Sequence, residues 1–112
     1  MSTNLEKLRE LLKATKYPVF RDKAPKKQEY PYIIYSFISE DTKVASGRIF
    51  KYMPLYQISL FTTGTEKDFR PIMKILDKNH VTTSGVMSLN GDENDDTVTN
   101  FFIQVRTVED AK

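Results

Sequence analysis

The sequence predicts an α+β fold: an antiparallel sheet of about four to five strands with two helices packed on one face, in the order α-β-β-β-α-β-β. Three observations carry that expectation. Leu5, Leu8, Leu11 and Leu12, and again Phe69, Ile72, Met73 and Leu76, recur at helical spacing. The segments between and after them alternate with the period of a strand. Seven Phe and six Tyr supply the aromatic surface that half-buried strands favour.

The first helix is expected from about Asn4 to Thr15. Thr3-Asn4-Leu5-Glu6 has the spacing of a capping box, and the four leucines fall in an arc of roughly 120°. Pro18 ends it. Tyr17 to Arg21 is a short apolar run holding that proline, which suits an edge strand. Asp22 to Glu29 is a charged loop. Tyr30 to Ser39 is the strongest strand, largely apolar on both faces: Tyr32, Ile34, Ser36 and Ile38 point one way, Ile33, Tyr35 and Phe37 the other. Such a strand is covered on both sides. A helix can supply one cover, and further protein or a partner subunit the other.

Glu40 to Phe50 is polar, contains Gly47, and is longer than a usual hairpin loop, so it is expected to be a connector. Tyr52 to Thr63 is the next strand, with Pro54 near its start, and it breaks at Gly64. Thr65-Glu66-Lys67-Asp68 opens the second helix, expected over Asp68–Lys78. Pro71 fits there if Asp68 is the cap, because it then lies in the first turn. Val81 to Leu89 is expected as a strand, Asn90 to Asp96 as a turn-rich connector, and Thr97 to Val108 as the last strand.

Composition narrows the function classes. A chain of 112 residues is expected to form one domain, 1–112, large enough for a single core. Its longest apolar stretches are too short to span a membrane, and its N-terminus does not read as a signal peptide. The absence of cysteine excludes disulfides and thiol chemistry and fits a reducing cytoplasm. A net charge of +2 is too small to indicate nucleic acid by itself. Basic residues crowd the N-terminal third, and the segment Asp92 to Asp96 is acidic.

No motif carries catalytic chemistry, so no enzyme and no cofactor is expected. His80 is the only histidine and has neither an orienting partner nor fellow ligands nearby in sequence; it reads as a helix-end residue. Asp92-Glu93-Asn94-Asp95-Asp96 lacks the ligand spacing, mid-loop glycine and terminal glutamate of a calcium loop, and reads as a solvated hairpin tip. Lys23, Lys26 and Lys27 form a basic loop close to Tyr30, Tyr32 and Tyr35. Lysines beside aromatics are the ingredients of single-strand binding, so a small nucleic-acid-binding protein remains an alternative.

The whole order of elements resembles the tail terminator, or tail-completion, family of long-tailed bacteriophages. Four features carry the resemblance: the opening helix leading to Tyr17-Pro18-Val19-Phe20; the strand Pro31-Tyr32-Ile33-Ile34-Tyr35; the strand Tyr56 to Thr62 followed by a helix at Lys67-Asp68; and a closing β-hairpin. It spans about Leu5 to Thr107. The resemblance implies a non-enzymatic virion assembly protein at the head–tail junction, made in the host cytoplasm. It implies a hexameric ring whose partners are its own copies, the tail tube protein and a head completion or connector protein, with no membrane and no small-molecule substrate. Within that reading Asp41 to Phe50 is a candidate assembly element. Asp41, Lys43, Val44, Ser46, Arg48 and Ile49 are its candidate interface, because apolar residues stand there among charges.

Overall fold

The computed structural model describes residues 3–93 and 96–111. Two helices, α1 (Leu5–Lys13) and α2 (Arg70–Lys78), accompany a six-stranded sheet of β1 (Val19–Arg21), β2 (Tyr32–Ala45), β3 (Arg48–Thr62), β4 (Met87–Glu93), β5 (Asp96–Arg106) and β6 (Glu109–Asp110). The class is α+β, as expected. The main path is β1-β2-β3-β5-β4, and β6 pairs with β3 off that path.

The core lies on one face of the sheet because alternation puts every second residue there. Ile33 and Tyr35 of β2, Tyr56, Ile58 and Leu60 of β3, and Ile103 and Val105 of β5 share it, and the pairs Ile33–Leu60, Tyr35–Ile58 and Ile58–Ile103 are in register. Leu8, Leu11 and Leu12 from α1, and Ile72 and Leu76 from α2, close over them. Phe69 joins them from a 3-10 turn, Glu66–Phe69, that precedes α2. On the opposite face Tyr30, Tyr32 and Phe61 stack in series, with centroid separations of 5.5 and 5.4 Å, and Phe20 meets Tyr32 edge-on.

Several expectations need correction. The cap of α1 is Asn4, whose Oδ1 accepts from the Lys7 N–H at 2.8 Å, while the Thr3 hydroxyl is buried without a partner among the described residues. Asp68 does not cap α2. Its carboxylate accepts instead from the Thr62 hydroxyl at 2.7 Å, Thr65 caps the 3-10 turn, and Pro71 sits in the first turn of α2. Val81 to Val86 is irregular apart from a single bridge at Thr83, and β4 begins only at Met87, running straight through Asn90 and Gly91. β1 pairs parallel, not antiparallel, with β2, because the chain crosses over through the loop 22–31. The middle of the sheet is β3 rather than the segment around Tyr30 to Ser39.

The largest correction concerns Glu40 to Phe50. It is no connector: β2 and β3 continue through it, and the only turn is Ser46-Gly47. Both residues have positive φ, 53° and 76°, which is the geometry of a two-residue turn whose twist matches the flanking strands. The result is a long two-stranded arm, and the molecule measures 55 Å along its principal axis against 26 and 21 Å across.

Candidate assembly surface

The arm leaves the sheet where β5 stops. The last β3–β5 pair is Leu55–Arg106, and beyond it β2 and β3 pair with each other down to Ala45–Arg48. Two bulges interrupt the ladder, one leaving Ile38 and the other Phe50 without an opposite residue. Each adds twist at that point. The C-terminal tail braces the root. Thr107 donates from both its N–H and its hydroxyl to the Pro54 carbonyl, at 2.8 and 3.0 Å, and Arg106 donates to the Met53 carbonyl at 2.8 Å. Arg106 also meets Asp41 at 3.5 Å, and β6 pairs Asp110 and Glu109 with Lys51 and Tyr52.

Pro54 is compatible with this position for a geometric reason. A strand residue sends its N–H and C=O to the same side, and the Pro54 carbonyl points to Thr107. Its missing N–H therefore faces the gap between β5 and β6 and costs the β2–β3 ladder nothing.

All six candidate interface residues stand exposed on this arm: Asp41, Lys43 and Val44 on β2, Ser46 in the turn, Arg48 and Ile49 on β3. Lys43 and Arg48 make no ion pair among the described residues, whereas Asp41 is engaged by Arg106 and Lys51 by Asp110. The candidate interface omitted Phe50, also exposed on the arm, and Phe37 and Ile38, exposed on β2 at the arm's root. It also missed a second patch: Val86, Met87 and Leu89 at the β4 margin, with Leu89 64% exposed. The sequence held the apolar residues, Val86 just before β4 and Met87 and Leu89 within it, but not the fact that β4 pairs on one side only among the described residues.

Lys23, Lys26 and Lys27 lie exposed in the loop before β2, around an open groove of about 840 Å³ that Tyr30, Tyr32, Ile34 and Thr63 also line. Tyr32 is buried within the Tyr30–Tyr32–Phe61 stack, so its ring faces already have protein neighbours. Tyr35 is on the core face beside Tyr56, with the Arg21 guanidinium 5.9 Å from each ring centroid. Tyr32 and Tyr35 thus lie on opposite faces of the sheet, as the alternation of the strand predicts, and only Tyr30 and Tyr32 stay beside the basic loop.

His80 is exposed in the left-handed conformation, φ 59°, directly after the cap of α2, and its N–H donates to the Asp77 carbonyl. Among the described residues no three or more acidic or histidine side chains gather as metal ligands. Asn94 and Asp95 of the expected acidic tip fall outside the described residues. No helix among those described is long and apolar enough to cross a membrane. No protein-family model matches the chain, and no curated protein does either.

Proposed function

We propose that this protein is a structural component of a phage or prophage particle that caps the head-proximal end of the tail tube and joins it to the head connector as a hexameric ring. The reading makes it non-enzymatic and places it at the head–tail junction, with its own copies, the tail tube protein and a head completion or connector protein as partners. Its basis is the resemblance of the chain to tail terminators. The structural observation that supports it is the arm. The described exposed large apolar residues fall on the arm and its root and on the β4 margin, and an extended hairpin of that kind serves a neighbour rather than a substrate. A cap must match the open end of a tube while refusing further addition, and a rigid domain with one projecting arm can do both.

The test is to co-express the chain with the tail tube protein encoded beside it and to image the tubes. Rings at one end of tubes of uniform length are expected. Tubes of unlimited length that leave the protein unbound would overturn the reading.

A second reading, nucleic-acid binding at the Lys23, Lys26 and Lys27 loop, is favoured by the groove beneath that loop. It predicts a steeply salt-dependent gel shift with a single-stranded oligonucleotide, lost when the three lysines become alanine.

A further inference from the structure

We propose that the arm of one copy docks on the β4 margin of a second copy, head to tail. The inference rests on the self-association contained in the reading above and assigns the surfaces that make it.

The first argument is where the exposed apolar surface lies. Among the described residues the exposed large apolar side chains occupy two regions only: the arm with its root on β2, where Val44, Ile49 and Phe50 stand on the arm and Phe37 and Ile38 at its root, and the β4 margin, with Val86, Met87 and Leu89. The second argument is topology. The β2 edge from Ser36 to Ala45 has no strand beside it once β1 ends at Arg21–Tyr35, and the outer edge of β4 has none either among the described residues. An open edge is a template for another chain. The two places cannot meet within one molecule. The arm continues past the Leu55 end of β3, while β4 and β5 continue past its Thr62 end, from Val98–Gly91 to Asp96–Glu93.

Charge selects the pairing. Toward its tip the arm carries Lys43 and Arg48 without ion partners among the described residues, its acids Glu40 and Asp41 lying at the root, and the closing end of the β4–β5 hairpin carries Asp92, Glu93 and Asp96 in its sequence. Arm against arm would bring the same cations together, and margin against margin the same anions. Arm against margin joins opposite signs, and such complementarity fixes register and suppresses wrong pairings. Lengths agree as well: the seven residues of β4 span about 23 Å at the strand rise, close to the reach of the arm past Ser39. A contact between two different surfaces repeats from copy to copy, and it closes into a ring when the rotation permits.

The chain has no cysteine, so single thiols report the contact cleanly. Val44→Cys and Leu89→Cys proteins are prepared separately, mixed, and treated with a short bismaleimide. The expected product is the mixed 44–89 dimer, in excess of either self-linked dimer. Introducing Lys43→Glu and Arg48→Glu into the first protein should cut its yield several-fold. Adding Asp92→Lys and Glu93→Lys to the second should restore it, with circular dichroism confirming that each variant keeps its fold. Predominant 44–44 or 89–89 products would overturn the proposal. So would the absence of any cross-link at the highest soluble concentration, or failure of the charge swap to rescue. Tube capping without a 44–89 cross-link would sink this contact alone, whereas the cross-link without capping would sink the tail reading alone.

Discussion

At the scale of single residues, Gly64 shows how the strand-to-helix transition is enforced. The Thr62 hydroxyl donates to the Asp68 carboxylate at 2.7 Å and accepts from the Gly64 N–H at 3.0 Å, which folds the chain tightly between β3 and the 3-10 turn. A Cβ on Gly64 would collide with Asp68 Oδ2 and stand 3.1 Å from its Cγ. Gly64→Ala must therefore swing Asp68 away and lose its bond to Thr62, at about 1.5–3 kcal/mol for a hydrogen bond to a charged group. Urea denaturation checks this. In an Asp68→Ala background the same substitution should cost little, and an equal cost there would refute the clash. Tyr17 ties the same corner to the N-terminal half, its hydroxyl donating to the Asp68 carbonyl at 2.7 Å. Burial, then the nearby Asp68 charge, raises the Tyr17 pKa above the ordinary tyrosine value. A raised folded pKa gives stability that is complete below the unfolded value and lost as pH climbs through the folded one. Tyr17→Phe should thus cost about 1 kcal/mol at neutral pH for the lost hydrogen bond. The gap to wild type should narrow in the alkaline range, read from urea midpoints at a series of pH values.

At the scale of elements, legibility followed burial. Both helices were visible because Leu8, Leu12, Ile72 and Leu76 face one core at helical spacing, and all four are fully buried. The buried ends of β2, β3 and β5 were visible for the same reason at period two. The arm was not, because hydrophobic periodicity registers only where one face is covered. From Glu40 to Phe50 every residue is exposed, so this part of β2 and β3 carries polar residues on both sides and reads as a loop. The overlooked signal was local: Ser46-Gly47 is a turn dipeptide, and both positions need positive φ. The candidate interface residues were found through composition, though inside an element of the wrong kind. The β4 segment failed differently, because Asn90-Gly91 is a strong turn signal that here lies within a paired strand. The arm's turn yields a direct prediction. Asn is preferred over Ser at the first position of such a turn. Ser46→Asn should slow amide exchange at Lys43, Ala45 and Arg48 while leaving the global unfolding midpoint nearly unchanged, since core burial sets global stability. A large midpoint shift would mean that the arm folds as part of the core.

At the scale of the whole molecule, the division between a braced core and a projecting arm separates stability from assembly. The core cluster, from Leu8 to Val105, contains no residue between Tyr35 and Tyr56, so the arm contributes nothing to the buried interior. Arg106 and Thr107 hold its root, and the outermost pair that Arg106 touches is Asp41–Met53. Replacing residues 42–52 with Asn-Gly would keep that pair, the Arg106–Asp41 contact and every core residue, and would remove the arm's tip together with the partners of β6. The shortened protein should unfold cooperatively, with a denaturant slope close to wild type, because that slope follows the surface buried on folding. It should sediment as a monomer under conditions where the full chain associates, and it should leave tail tubes uncapped. The two measurements separate the possibilities. Loss of cooperative unfolding would mean that the arm is structural. A shortened chain that still folds, associates and caps tubes would show that the longest feature of this molecule plays no part in assembly.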